Sequence, residues 1–255
     1  MDMFGSEWIA KAKDIMDRIE ETQTENILKS AELMANAIEE ERWVHMFGAG
    51  HAHIPLEEVY PRTGGFVGFH PINEVALSYF TNIVGDSGVR QFCFLERVEG
   101  YGRIIMQNYD LDSRDVMWIF SHSGINCVVI DIALAAKEQG VSVVATTSVE
   151  HSKAPTSRHS SGKRLFEVAD VLIDSCVPFG DSMIEVPGLE QKVGPGSTLG
   201  FITVANAVVT QVAKNLVDRG VKLYVNATLN VKGDQTAEDL VEIGTQEYKR
   251  RLKNV

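Results

Sequence analysis

The stretch from Val116 to Gln139, VMWIFSHSGINCVVIDIALAAKEQ, decides how the chain folds. Its first five residues are apolar without alternation, the pattern of a strand buried on both faces. A hydroxyl-rich turn follows, Ser121-His122-Ser123-Gly124-Ile125-Asn126, and a helix begins at once. Ala133, Leu134, Ala136 and Lys137 favour that helix, and Gly140 stops it. A strand delivered through a tight turn into a helix is half of a βαβ unit.

The same grammar recurs on either side. Trp43-Val-His-Met-Phe47 runs into Gly48-Ala49-Gly50, and further apolar runs at Phe66–Phe69, Gln91–Leu95, Val141–Thr146 and Val171–Asp174 read as strands. Helix-like stretches lie among them at Asn73–Val84, Gly100–Asn108 and Asn126–Gln139. Strands alternating with helices predict a parallel sheet covered on both faces. Residues 7–42 read as a pair of helices, with Ile15, Ile19, Ile27, Leu33, Met34, Ala37 and Ile38 near the 3.6 period. Beyond Asp174 comes a Pro/Gly-rich stretch, then a helix from Ser197-Thr198 to about Arg219 closed by Gly220. Val221–Val231 reads as a strand or extended arm, and Thr236 opens a polar final helix. The expected organisation is residues 1–44 as helices packing on the domain or on a partner, 45–220 as the α/β domain, and 221–255 as the arm and last helix.

Charge and composition exclude several functions. Of 255 residues, 24 are Lys or Arg and 35 Asp or Glu, a formal charge of −11, so no basic face for nucleic acid is expected. No stretch has the roughly 20 apolar residues of a membrane span, and none near the N-terminus has the form of a signal peptide. Cys93, Cys127 and Cys176 form no CxxC pattern, which argues against a disulfide scaffold or a cysteine metal site. A cytoplasmic chain is expected. If the ligand is an anion, the site must overcome the protein's own field.

The turn at Ser121–Asn126 answers that requirement. Amides at a helix N-terminus carry partial positive charge, the serines add hydroxyl donors, and Gly124 allows close approach of backbone to ligand. From Val116 to Ile130 the chain has no formal charge at all, so no carboxylate there repels an anion. The loop Gly48-Ala49-Gly50-His51-Ala52-His53 starts like a dinucleotide fingerprint, but His53 stands where the third glycine belongs. There is no GxSxG nucleophile elbow and no P-loop lysine. His51, His53 and Glu57 offer nitrogen and carboxylate groups for a metal or for acid–base chemistry. Lys153, Arg158, Lys163 and Arg164 make residues 151–165 locally basic, either as a solvated loop or as a lid over an anion.

Taken in order, GAGHAHIPLEEVYPRTGG (48–65), FSHSGIN (120–126), Thr146-Thr147-Ser148, SGKRLFEVADVLID (161–174) and GSTLGF (196–201) resemble the SIS (sugar isomerase) domain family. Within that family the chain looks closest to an uncharacterised branch resembling phosphoheptose isomerase, over roughly residues 5 to 220. The resemblance implies a three-layer αβα sandwich with a mostly parallel, five-stranded, flavodoxin-like sheet that binds a sugar phosphate. It implies that Ser121, His122 through its backbone, Ser123 and Gly124 wrap the phosphate. Asn126 then stands where relatives carry a threonine, Thr147 and Ser148 form the second hydroxyl cluster, and Gly50 and His51 belong to the first loop. Ala52 replaces a serine that relatives use there.

The same resemblance implies aldose–ketose isomerisation, in which a carboxylate moves a proton between adjacent carbons through an enediol. Glu58 matches the family's base by its spacing to Arg62, and Glu57 matches it by its pairing with His53. The partner histidine of such isomerases is missing from residues 197–219, which leaves His53, His51, His122 or His70 to substitute. Glu185 and Glu190 are secondary candidates. No organic cofactor is implied, although some relatives hold zinc through a His and a Glu of the early helix. The implied partners are a small sugar phosphate and further copies of the chain, as a homodimer or larger assembly, with neither nucleic acid nor membrane. The alternative activity is non-catalytic sensing of a sugar phosphate.

Overall fold

A computed structural model describes residues 3–78, 88–228 and 235–254. Five parallel strands form its sheet: β1 (Val44–Gly48), β2 (Phe69–Pro71), β3 (Val116–Phe120), β4 (Ser142–Thr147) and β5 (Val171–Asp174), in the order β2-β1-β3-β4-β5. Registers run Val44↔Val116 to Gly48↔Phe120 between β1 and β3, and Val116↔Ser142 to Phe120↔Thr146 between β3 and β4.

Strand β3 shows why there are three layers. Successive side chains point to opposite faces. Trp118 and Phe120 join one core with Ile15, Ile19, Met34, Phe201 and Val208, beneath α1 (Ser6–Glu39) and the long helix Ser197–Asp218. Met117 and Ile119 join the other with Val128, Ile132, Val143 and Leu165, beneath the helix Cys127–Glu138. The strand therefore has no polar face and no alternation to display.

Two expectations are corrected. The N-terminal pair of helices is a single helix, α1, of 34 residues. Near its middle, Gln23 and Arg18 bind the β5 end of the sheet by hydrogen bonds. Gln23 Oε1 accepts from the Asp174 amide at 3.0 Å, and Arg18 donates to the Cys176 carbonyl at 3.2 Å. With no Gly or Pro between Ser6 and Glu39, nothing breaks the helix. The run Gln91–Leu95, read as a strand, lies in a helix, Gly88–Leu95. A run that short does not separate strand from buried helix by period. Between β2 and this helix stands the short helix Val75–Ser78; the rest of the helical stretch expected to Val84, residues 79–84, lies outside the described residues.

In chain order the remaining helices are α2 (Ile54–Val59), α3 (Val75–Ser78), α4 (Gly88–Leu95), α5 (Tyr101–Met106), α6 (Cys127–Glu138), α7 (Val149–Lys153), α8 (Leu165–Val168), α9 (Ser197–Asp218) and α10 (Gln235–Arg251). The Pro/Gly-rich stretch holds an unanticipated antiparallel pair, β6 (Ser182–Ile184) and β7 (Val193–Pro195). The arm after Gly220 runs back along the loop before β2, with the Gly64 amide on the Asn226 carbonyl at 2.8 Å and the Asn226 amide on the Gly65 carbonyl at 2.9 Å. Phe66, placed in a strand by the sequence, bridges Val225 there, and residues 229–231 of the expected arm lie outside the described residues. α10 docks through Tyr248, which stacks on Tyr60 at 4.9 Å and meets Trp43 edge-on at 5.2 Å. No helix among the described residues is long and apolar enough to cross a membrane.

Candidate functional site

The strand order reverses direction between β1 and β3, and in open α/β sheets the crevice at the carboxyl ends of such strands is where ligands bind. Both loops picked out by the sequence lie there. Gly124 holds φ +62°, and a Cβ on it would come within 2.9 Å of Ser152 Oγ and 3.2 Å of Thr147 Oγ1. Only glycine fits that corner without strain. The Gly124 amide donates to Ser121 Oγ at 3.1 Å, which closes the turn on itself. The carbonyls of the loop are tied to the protein behind it: His122 accepts from the Ser148 amide at 3.2 Å, Gly124 from the Leu165 amide at 2.8 Å, and Ile125 from the Arg158 amide at 3.0 Å.

Thr147 and Ser148 serve that bracing. Both are fully buried. Thr147 Oγ1 donates to the His122 carbonyl at 3.1 Å, while Ser148 Oγ donates to the Val177 carbonyl at 2.6 Å and caps α7 by accepting from the His151 amide at 3.1 Å. Neither lines the cavity in front of the loop.

The first loop turns just as tightly. A Cβ on Gly48 would lie 2.0 Å from the Ala52 carbonyl oxygen, because a 3₁₀ turn, Gly50–His53, folds directly back over the strand end. Gly50 lies beneath the Phe92 ring, and His51 and Ala52 face the cavity. His53 points elsewhere: it is buried, its Nδ1 is 3.2 Å from Ser78 Oγ, and its Nε2 is 3.8 Å from Glu57 Oε1. Burial lowers its pKa, against the pull of Glu57.

The cavity holds about 280 Å³, at the small end of small-molecule sites. Of the residues expected from the sequence, it gathers His51, Ser121, His122, Ser123 and Asn126. Glu57 and Glu58 are not among its walls. Glu58 pairs with Arg62 and accepts from Asn206 Nδ2 at 3.2 Å, in a separate groove with Gly64, Gly65 and Val209. His70 stands at the opposite end of the sheet, its Nδ1 3.0 Å from His45 Nδ1. Glu185 and Glu190 line a third, outlying depression beside β6 and β7.

Four polar cavity residues were not assigned to the site from the sequence: Glu96, His151, Asp181 and Ser197, the last read only as a helix start. Glu96 follows the run Gln91–Leu95 directly, at the end of a presumed strand, which was a usable signal. Burial pushes its carboxyl pKa up, while Arg97, the Asn126 amide and Arg158 pull it down. Asn126 Nδ2 donates to Glu96 Oε2 at 2.6 Å, and Asn126 Oδ1 accepts from Arg158 Nη1. Arg158 is thus the member of the basic segment that reaches the site. Arg164 instead pairs with Glu167 at 3.0 Å.

Asp181 adopts φ +69° and caps α9, accepting from the amides of Gly196 and Ser197 at 3.0 and 2.7 Å and from Ser197 Oγ at 2.9 Å. His151 accepts from the Gly180 amide at Nδ1, 3.0 Å away, and stacks on Phe179 at 4.9 Å. The His122 ring lies 4.6 Å from that of His151. Burial drives the His122 pKa down to about 4, with His151 adding to the effect and Asp181 opposing it. At neutral pH His122 is therefore an uncharged imidazole. For zinc the donor set does not fit: among the described residues no three His, Cys, Asp or Glu side chains converge, and His53 with Glu57 lacks a third.

Comparison with known proteins agrees with this fold. Residues 7–148 match the SIS domain family. A UPF0309 protein of Shouchella clausii is 38% identical over 205 residues, covering 80% of this chain and 81% of its own. One from Oceanobacillus iheyensis is 36% identical over 230 residues, covering 90% and 92%. Among solved structures, phosphoheptose isomerase from Neisseria gonorrhoeae superposes with a TM-score of 0.54 at 18% identity, over 81% of this chain and 95% of its own. Phosphoheptose isomerase from Francisella tularensis gives 0.51 at 11% identity, over 82% and 96%. At those identities the likeness to the solved structures is one of fold.

Proposed function

The chain belongs to the SIS domain family, and on that premise we propose that it binds a sugar phosphate and interconverts its aldose and ketose forms. One observation carries the reading. A single small cavity holds the Ser121 and Ser123 hydroxyls at the start of α6 together with a carboxyl, Glu96, that burial makes more basic. The first group is what a phosphate needs, and the second is what proton transfer needs.

In this reading the phosphate sits on the Ser121–Gly124 loop, with helix amides and hydroxyls as donors. Glu96 replaces Glu57 and Glu58 as the base, because it shares the phosphate's cavity and they do not. It takes the proton from the carbon beside the carbonyl, the C–H pair becomes the C=C bond of an enediol, and the proton returns to the neighbouring carbon. A raised carboxyl pKa suits both taking and returning it. Arg158, through Asn126, keeps the carboxylate ionised enough to begin. Self-association belongs to the same proposal: α1 leaves Ile9, Met16 and Leu28 exposed along its length, which supports a homodimer through that helix. A charged sugar phosphate does not cross membranes unaided, so the proposed place of action is the cytoplasm.

Isothermal titration with ribulose 5-phosphate, fructose 6-phosphate and sedoheptulose 7-phosphate, each against its unphosphorylated sugar, tests the binding. We expect at least one phosphate to bind and its parent sugar not to. In the Ser121→Ala/Ser123→Ala double variant, affinity falls by about tenfold or more, as two lost hydrogen bonds to a charged group imply. Equal binding of the parent sugar, or an unaffected double variant, overturns the assignment. Binding with no isomerisation moves the protein to the sensing alternative.

A further inference from the structure

The loop between α7 and α8 holds a second group of side chains, outside the cavity and with no part in the proposed isomerisation. Ser161 Oγ lies 2.8 Å from His159 Nδ1, and His159 Nε2 lies 3.2 Å from Asp131 Oδ1. A hydroxyl, an imidazole and a carboxylate in hydrogen-bonded series form the arrangement that activates a serine nucleophile. None of the three lines the cavity.

The hydrogen bonds fix the direction in which a proton moves. The Ser161 amide donates to His159 Nδ1 at 3.1 Å, so that nitrogen offers a lone pair and the ring proton sits on Nε2, facing Asp131. The Ser161 hydroxyl therefore donates to Nδ1. The Lys163 amide donates to Ser161 Oγ at 3.2 Å, where it stabilises charge developing on that oxygen. Asp131 is buried on α6, and its other oxygen is held by the amides of Gly100 and Gly102 at 2.7 and 3.3 Å. His159 is buried as well, while Ser161 is exposed, so the base is shielded and the nucleophile is open to solvent. A serine turn alone accounts for the amide on Nδ1. It does not account for a buried carboxylate brought onto Nε2 from 28 residues away.

We propose that Ser161 is an acylation site, whose hydroxyl takes the acyl group of a small activated ester. Ser161 Oγ attacks the ester carbonyl carbon, and its proton passes to His159 Nδ1. The Oγ–C bond forms, the bond from that carbon to the leaving oxygen breaks, and the leaving group departs with the proton from Nδ1. A neutral carbonyl carbon suits the position better than an anionic phosphoryl group, because a carboxylate adjoins it: Glu99 Oε1 is 3.7 Å from His159 Nε2, and Glu99 also binds Ser160. The modification is a single event, because the amides nearby are committed. That of Ser160 donates to Glu99 at 2.8 Å, that of Gly162 to the His159 carbonyl at 2.9 Å, and those of Ser161 and Lys163 to Nδ1 and Oγ. An activated leaving group lowers the first barrier without an oxyanion hole. The serine ester has a poor leaving group, and hydrolysing it would need one.

In the test, the full chain is incubated with p-nitrophenyl acetate, and acetylated peptides are followed by mass spectrometry. Wild type should gain about one acetyl ester per chain, on Ser161, with a single burst of nitrophenolate traceable to that residue. Ser160, also exposed, should stay unmodified over the same time, which separates activation from exposure. Ser161→Ala should lose both ester and burst, and His159→Gln should acetylate Ser161 about 100-fold or more slowly, the scale of a lost general base. Should His159→Gln not fold, wild type in concentrated urea decides, since Ser161 should then acetylate no faster than Ser160. The proposal is overturned if Ser161 is left unmodified, if Ser160 reacts as fast, or if the rate at Ser161 is unchanged in His159→Gln or in urea. Continuing release of nitrophenolate that disappears in Ser161→Ala also overturns it, by showing turnover in place of modification.

Discussion

The Asn126 side chain donates to Glu96 at 2.6 Å and takes a hydrogen bond from Arg158 with its other end, so a surface guanidinium steadies a carboxyl inside the cavity. An amide can face both ways because it carries a donor and an acceptor. Asn126→Asp removes the donor and sets a second carboxylate beside Glu96. Like charges that close raise a carboxyl pKa. Since the base must be ionised to work, the acid limb of kcat/KM is expected to move up by about one pH unit or more, read from a pH–rate profile. A profile that stays in place contradicts the role assigned to Glu96.

The Ser121–Gly124 loop depends on one backbone corner. In Gly124→Ala the positive φ and the contact at 2.9 Å with Ser152 Oγ both act against the native turn. A loss of about 1–2 kcal/mol in urea denaturation is expected, with sugar-phosphate affinity down by about tenfold or more. Gly220→Ala is the control. It shares a positive φ of +78° but meets nothing within 4 Å, and it lies after α9, away from the cavity. It should lose about 1 kcal/mol of stability and leave binding unchanged.

Stability should also report the buried histidine pair at the far end of the sheet. Burial and His45 hold His70 down to about 4, against the attraction of Asp115. The unfolded chain takes up that proton below pH 6.5, whereas the folded chain refuses it until about pH 4. Stability is therefore whole above pH 6.5 and is lost as pH falls between those limits, by about 3 kcal/mol from this residue at most. His122 contributes in the same direction over the same window. His70→Gln keeps a hydrogen-bonding group beside His45 and does not titrate, so urea midpoints at pH 7 and pH 4.5 should differ less in the variant. An equal fall in both assigns the pH dependence elsewhere.

The fold was readable where local and tertiary demands coincide. Val116–Phe120 is apolar throughout because both faces of β3 are covered, and Gly124 and Gly48 stand at turns that no side chain would allow. The reading failed where a short segment answered to its neighbours. Phe92 and Leu95 pack as a helix against the first loop and the core, and their spacing over one short run does not reveal that. Nor does the sequence show that Gln23 and Arg18 of α1 find their partners, Asp174 and Cys176, about 150 residues along the chain.

At the site, the serine loop was legible because its parts are local: a turn, two hydroxyls and a helix start adjacent in sequence. The other polar walls of the cavity were not. Glu57 and Glu58 follow the first loop in sequence, yet α2 directs Glu58 to Arg62 and Asn206. Glu96, His151 and Asp181 come from three distant segments and meet only through the sheet's topology.

The most direct test of the account is deuterium incorporation next to the carbonyl of a ketose phosphate in D₂O, followed by proton NMR. Wild type and Glu58→Gln are expected to exchange solvent deuterium into ribulose 5-phosphate, fructose 6-phosphate or sedoheptulose 7-phosphate, and Glu96→Gln to lose about 100-fold or more of that rate while still binding the probe. Exchange that persists in Glu96→Gln and vanishes in Glu58→Gln would contradict it.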